Sequence, residues 1–211
     1  MTARRRGLRP VGALPLAMLV ALIFTAACAG SASASPAWRI GGTQLAGTET
    51  IAGKALVNSF TIPGLTTKCE LSYKMSIVNS AGVGKGEIAE FLLKGCTTNS
   101  KACSVKTAAA EKLPWPLHLT TVATSIYVVL EKVRIGFLYS GEECVLNEIL
   151  ATVTGTAGGI FNNMGSTITF TPTSFAATGT ELKVFGSKIE WNCVLTTEAT
   201  GANIGLPLEV G

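Results

Sequence analysis

A strict alternation of side-chain types along residues 68–78 is the feature that most limits how this chain can fold. The two faces of KCELSYKMSIV differ completely: one carries Cys69, Leu71, Tyr73, Met75 and Ile77, the other Glu70, Ser72, Lys74 and Ser76. Successive side chains of a β-strand point to opposite faces, whereas a helix repeats every 3.6 residues. The stretch therefore predicts a strand with one buried face and one solvated face.

Similar short segments, separated by Gly, Pro, Asn and Ser, continue through the chain from Ser35 onward. No long stretch has helical spacing, and residues 108–112 could form about one helical turn at most. Many short strands at fairly regular spacing are typical of all-β folds. We therefore expect a single all-β domain over residues 35–211, an antiparallel β-sandwich or partly closed barrel held by disulfides.

Two apolar runs flank a polar loop in FLLKGCTTNSKACSV, residues 91–105. A cysteine stands at each end of the loop, and we interpret the stretch as a β-hairpin or tight β-arch closed by a Cys96–Cys103 disulfide. On a chain-entropy estimate, such a short ring would stabilise the fold by roughly 2–3 kcal/mol.

The remaining cysteines leave the connectivity open. The chain has six: Cys28, Cys69, Cys96, Cys103, Cys144 and Cys193. Cys144 and Cys193 form a second candidate pair, which leaves Cys69 unassigned, although Cys69 could instead take either of them. The chain has no C-x-x-C motif and only one histidine, so the pattern favours disulfides over a zinc or redox site.

The first 34 residues have the pattern of a signal peptide. Four arginines in the first ten residues precede an apolar run over residues 11–27, and small residues follow. The order predicts export of the mature chain, either secreted or associated with the cell envelope. An alternative cleavage before Cys28 would leave a lipidated cysteine, and that lipid would be the chain's connection to a membrane.

Charge and composition exclude several classes of function. Without the four N-terminal arginines, the 17 basic residues fall to 13 and equal the 13 acidic ones, so the basic surface of a nucleic-acid binder is missing. All acidic residues are Glu, which disfavours sites that normally depend on Asp, such as calcium loops. We expect no cofactor and no metal site.

Two kinds of residue could carry catalysis. The single histidine, His118, lies next to prolines at the start of a predicted strand, a position more typical of a surface or turn residue than of a catalyst. Glutamates that could pair as acid and nucleophile in glycoside hydrolysis stand in two groups: Glu142, Glu143 and Glu148, and Glu87 and Glu90. No flanking motif accompanies either group, so we assign no catalytic residue.

Several features together resemble a group of uncharacterised secreted actinobacterial β-rich proteins. These are the export signal, the C-T-T-x-x-x-x-C loop after F-L-L-K-G, the Pro-Trp pair that follows, and the stretch over residues 155–170. The resemblance implies export and a β fold. It implies no activity, because none is established for the group.

The sequence favours an exported, non-enzymatic β-domain with a structural or binding role at the cell envelope or outside the cell. Its candidate contact surface is Lys94, Lys101 and Lys106 near the predicted disulfide-closed loop, with Trp115, held between two prolines, as the candidate surface anchor. The favoured alternative for Trp115 is packing over the end of the sheet. The partner would be an envelope polymer or a protein. The alternatives are a glycan-directed hydrolase that uses glutamate pairs and a membrane β-barrel.

Overall fold

The computed structural model describes residues 35–211; the predicted signal peptide and Cys28 lie outside the described residues. Strands dominate this part of the chain. They are β1 (Trp38–Ile40), β2 (Thr43–Gln44), β3 (Glu49–Ile62), β4 (Leu65–Ser80), β5 (Val83–Thr98), β6 (Ser104–Ala110), β7 (Trp115–Val122), β8 (Ser125–Ser140), β9 (Leu150–Asn162), β10 (Thr167–Phe170), β11 (Leu182–Val184), β12 (Ser187–Thr196), β13 (Glu198–Ala199) and β14 (Leu208–Val210). Helix α1 spans Pro172–Thr178, and Asn163–Gly165 and Gly201–Asn203 form short 3-10 turns.

The large antiparallel sheet closes on itself. Pairing runs from β3 through β4, β5, β7 and β8 to β9, and both β10 and β11 then pair with β9 and with β12. β12 in turn pairs with β3, which completes the ring. The β5–β7 pairing covers only residues 85–88 of β5. Farther along, β6 pairs with β8 and no ladder joins it to β5, so the barrel is closed over only part of its length. The predicted antiparallel all-β fold is confirmed, in its form of a partly closed barrel.

β4 shows why these segments become strands. The five side chains predicted for its apolar face are all buried, at most 8% exposed, and those of Glu70, Ser72 and Lys74 on the other face are exposed. Burial of one complete face supplies the hydrophobic stabilisation that an isolated strand lacks. The predicted alternation is confirmed.

An aromatic cluster fills the centre of the barrel. The indole of Trp191, on β12, stacks on Phe170 of β10 and on Phe60 of β3, with ring centroids 4.5 and 5.5 Å away. Phe91 of β5 meets the same indole edge to face at 6.3 Å and also packs on Trp115. Offset and edge-to-face aromatic pairs add to the stabilisation from area burial alone. Strands from opposite sides of the ring are thus joined through one side chain.

Asn58 is the hydrogen-bond partner of the Trp191 indole N–H. Its side-chain oxygen accepts a 2.8 Å hydrogen bond from Trp191 Nε1, and its amide nitrogen donates at 3.2 Å to the Cys69 carbonyl. Asn58 is itself only 6% exposed. A buried amide is tolerated here because its partners replace the water that it loses.

The helical segment differs from the sequence-based expectation. Residues 104–110 are strand β6, so most of the stretch that could have formed a helical turn is extended. The helix is α1 instead, where Pro172 occupies the first turn and Thr171 and Ser174 form a reciprocal capping box. Among the described residues, no helix is long and apolar enough to cross a membrane.

A small second sheet, with the order β14-β1-β2, packs where β4 ends. The side chain of Asn79 accepts a hydrogen bond from Trp38 N and donates to the carbonyls of Trp38 and Leu45. Trp38 is fully buried and meets Phe161 edge to face. The described N-terminal segment is thereby fixed to this end of the barrel.

Replacement of Asn58 tests the link between the cluster and β4. Asn58→Ala leaves the Trp191 N–H and the Cys69 carbonyl without partners, so we expect a loss of about 2–4 kcal/mol in the free energy of unfolding. Urea unfolding monitored by tryptophan fluorescence measures it. Asn192→Ala, in the same strand as Trp191, is the control and should change stability by less than about 0.5 kcal/mol. Equal effects of the two substitutions would contradict the assignment.

Candidate functional site

The disulfides do not follow the predicted pairing. Cys69 is bonded to Cys96, and Cys103 to Cys144, so the predicted Cys96–Cys103 bond is wrong. Neither open alternative, a Cys144–Cys193 pair or a bond from Cys69 to one of these two, is present. The reason is that β5 continues to Thr98, past Cys96, so that the two cysteines of the polar loop belong to different structural units. Two intramolecular disulfides indicate an oxidising environment outside the cytosol.

The strand register explains the first bond. Lys68 pairs with Thr97 and Glu70 with Lys94, so a single residue of β4 lies opposite two residues of β5. This β-bulge places Cys69 against Cys96, and Gly95 supplies the positive φ of 55° that the extra residue requires. The bond therefore joins neighbouring strands rather than the two ends of a loop.

The second bond fixes two loops to each other. Cys103 follows the β5–β6 loop, where the Thr98 hydroxyl donates to the carbonyls of Ser100 and Cys103. Cys144 lies in the connection between β8 and β9, next to a turn in which its N–H donates to the Gly141 carbonyl. The disulfide thus holds both loops at the same end of the barrel.

Cys193 is buried and has no disulfide partner among the described residues. It faces the core on β12 and pairs with Asn58 of β3, whose amide nitrogen in turn donates to the Cys69 carbonyl. Burial raises the pKa of the Cys193 thiol well above its ordinary value. The thiol is therefore held in its protonated, unreactive form.

Trp115, one of the predicted contact residues, is not on the surface. It is fully buried, packs on Phe91, and donates from its indole nitrogen to the Glu111 carbonyl at 2.9 Å. The alternation of β7 turns Trp115, Leu117 and Leu119 inward together. The flanking prolines do not expose the ring, and the prediction of a surface anchor is wrong.

The three predicted contact lysines lie on different elements. Lys106 of β6 forms an ion pair with Glu148 at 3.2 Å, which uses one of the candidate catalytic glutamates. Lys101 lies in the β5–β6 loop, and Lys94 on the outer face of β5. Only Lys94 joins the larger charged surface described next.

A bulge in β3 creates that surface. β3 and β4 pair at both ends of β3, but residues 55–58 have no partner on β4, and the β12 ladder skips Leu56. Bulges re-aim side chains locally. Here Leu56 and Val57 are 64% and 56% exposed, although both are large and apolar.

Beside the bulge, an open groove crosses the outer face of β3, β4 and β5. It has a volume of about 340 Å³ and adjoins a second hollow of about 350 Å³ at Glu70. We call this surface the β3–β5 groove; the residues that give it its character are Lys54, Leu56, Val57, Lys68, Glu70, Leu92 and Lys94. The Cys69–Cys96 disulfide ties together the two strands that form its floor.

The groove is positively charged and partly apolar. Within residues 35–211, Lys54, Lys68 and Lys94 take part in no ion pair, and Glu70 is the single carboxylate of the groove. Leu92 is 50% exposed and adds to the aliphatic surface of the bulge. The sequence signal that was missed is the run Ala55-Leu56-Val57, which breaks the alternation of β3.

The candidate catalytic residues lie on half-exposed or exposed surface, and two of the glutamates are paired with lysines. His118 Nδ1 lies 3.2 Å from Glu131 on a half-exposed surface. Glu90 is paired with Lys74 at 2.9 Å, and Glu142 and Glu143 are exposed in the β8–β9 loop. The described part of the chain contains no group of three or more His, Cys, Asp or Glu side chains that could hold a metal.

Two glutamates do share a hollow, of about 330 Å³, between α1 and β12. These are Glu181 and Glu190. Hydrogen bonds from Lys183 and Lys188 hold the pKa of the Glu181 carboxyl below its ordinary value. A glycosidase acid must keep its proton near neutral pH, so this environment does not suit Glu181 for that role.

Comparison with known proteins found no match: no protein-family model, no curated protein and no solved structure is similar to the chain.

Disulfide mapping tests the pairing directly. Proteolysis without reduction, followed by mass spectrometry, should yield one linked peptide pair with Cys69 and Cys96 and another with Cys103 and Cys144. Iodoacetamide should label Cys193 only after unfolding in guanidinium chloride, because burial keeps its thiol protonated and inaccessible. A peptide pair that joins Cys96 to Cys103, or rapid labelling of Cys193 in the native protein, would contradict the structure.

Proposed function

We propose that the chain is an exported, non-enzymatic binding domain of the cell envelope or the extracellular space. Its β3–β5 groove would hold an anionic partner that also carries apolar groups. The observation that carries the proposal is the combination of three lysines that form no ion pair within residues 35–211 with three exposed aliphatic side chains on one surface.

The charge of the groove supports an anionic partner. Exposed lysines and apolar side chains are each ordinary on a protein surface. Their concentration beside a bulge, with a single carboxylate among them, gives the groove an excess of positive charge, whereas the rest of the chain after the N-terminal arginines has ten basic and twelve acidic residues. Acidic polymers of the envelope present the matching carboxylate or phosphate groups.

The environment of the glutamates supports a non-enzymatic role. Glycoside hydrolysis needs two carboxyl groups across a cleft, one of them protonated. Glu90 and Glu148 are engaged with lysines, and the carboxyl of Glu181 is kept ionised by its lysine neighbours. Export is supported by the two disulfides and by the pattern of the first 34 residues.

A matched pair of polymers tests the groove. The protein should bind carboxymethyl-dextran more tightly than neutral dextran of the same length, with an affinity that falls as salt increases. Lys54→Gln/Lys68→Gln/Lys94→Gln should weaken binding about tenfold, since each exposed charge pair contributes roughly 0.2–1 kcal/mol. Isothermal titration calorimetry measures both.

The control replaces three exposed lysines outside the groove, Lys85, Lys112 and Lys132, with Gln. It carries the same change in net charge but should leave the affinity within about twofold of the original, because screening weakens distant charges. An equal loss in the two triple variants, or equal binding of charged and neutral dextran, would refute a specific groove.

A further inference from the structure

An apolar surface lies at the end of the barrel to which the Cys103–Cys144 disulfide holds its loops. The β3–β4 turn, the β8–β9 loop and the β11–β12 turn meet there around a hollow of about 200 Å³. We call the exposed residues of this surface, Pro63, Val145 and Phe185, the apolar tip. Val145 is 83% and Phe185 63% exposed.

Phe185 has an unfavourable backbone conformation for an aromatic residue. Phe185 and Gly186 form the two-residue turn between β11 and β12, with φ of 50° and 80°. Positive φ at both positions defines a type I′ turn, where Asn or Gly is favoured at the first position and an aromatic residue is disfavoured. The chain keeps a bulky apolar side chain where both backbone and water oppose it, and such strain is characteristic of contact sites.

Two carboxylates beside the apolar tip are free of ion pairs within the described residues, whereas Lys183 and Lys188, next to the β11–β12 turn, both pair with Glu181. Glu142 and Glu143 directly precede Cys144 and Val145, and neither forms an ion pair within the described residues. Lys101, in the loop joined by the disulfide, carries the opposite sign. The tip thus presents apolar side chains next to two unpaired carboxylates.

The β3–β5 groove has the complementary chemistry. It presents Leu56, Val57 and Leu92 beside unpaired lysines, whereas the tip presents an aromatic and an aliphatic side chain beside unpaired glutamates. We propose that the apolar tip of one copy docks into the β3–β5 groove of a second copy of this chain. This inference rests on the proposed function of the groove, and it names the partner.

The contact joins two different surfaces, the tip of one copy and the groove of another. The size of the assembly therefore depends on whether one pair of copies can form both contacts. If the two copies can satisfy both contacts at once, they form a two-fold pair; otherwise each copy keeps a free groove or tip and longer assemblies grow. An anionic membrane is disfavoured as the occupant of the tip because Glu142 and Glu143 would be repelled by its surface charge.

Charge reversal tests the docking in the purified protein. Sedimentation velocity from 1 to 200 µM should show association that rises with concentration and weakens in high salt. Glu142→Lys/Glu143→Lys and, separately, Lys54→Glu/Lys68→Glu/Lys94→Glu should each reduce the association constant at least tenfold. A chain with all five reversals has a basic tip and an acidic groove, and it should associate again. Failure of this combined variant to recover would overturn the proposal.

The substitution Phe185→Asn distinguishes a loss of the docking contact from a loss of the fold. Asn suits the turn better than Phe, so the variant should unfold at the same or a higher urea concentration, and it should still lose association at least tenfold. A fully associated Phe185→Asn protein would overturn the role of the tip.

Polymer and vesicle binding distinguish the remaining outcomes. Carboxymethyl-dextran should dissociate the assemblies, and the Glu142→Lys/Glu143→Lys variant should still bind it. A protein that binds the polymer but stays monomeric at 200 µM refutes docking and leaves the proposed function standing. A protein that does neither refutes both. Phosphatidylcholine vesicles that bind the original protein but not Phe185→Asn, without self-association, would assign the tip to a lipid surface and overturn the inference.

Discussion

The packing of Trp191 is the interaction on which the rest of the structure depends. The ring of strands closes between β12 and β3, and the Trp191 indole lies at that closure, between rings from β10 and β3. Its N–H is satisfied by Asn58, which also bonds to the β4 backbone. The same stretch of β3 is bulged, so the residues that complete the core are next to those that project as Leu56 and Val57. The groove is in this sense a consequence of how the barrel closes.

The disulfides flank the gap between β5 and β6. β5 and β6 run without a ladder between them, and one disulfide fixes β5 to β4 while the other fixes the start of β6 to the β8–β9 loop. Cross-links that close loops of 27 and 41 residues stabilise a chain by about 3.5–4 kcal/mol each on the chain-entropy model. The cysteines thus support both the floor of the groove and the loops of the apolar tip.

Local pattern predicts the fold well, because the alternation of β4 reports directly which face is buried. It fails where the outcome depends on long-range register. Cys96 and Cys103 are neighbours in sequence, but a bulge at Gly95 turns Cys96 toward β4. Trp115 has prolines on both sides, yet the inward face of β7 buries it. Lys54 and Lys68 join Lys94 only through strand pairing, so the groove was not visible from sequence. The cysteine content did indicate an oxidising compartment, which the two disulfides support.

Native-state hydrogen exchange tests the central role of the closure most directly. If the Trp191 packing holds the ring together, the amides of residues 189–195 should exchange only through global unfolding, with the free energy measured by urea denaturation. They should be as protected as those at the centre of β4. Exchange of the β12 amides through a local opening of much lower free energy, with β4 and β5 still protected, would show that the barrel stands without this closure and would contradict the account.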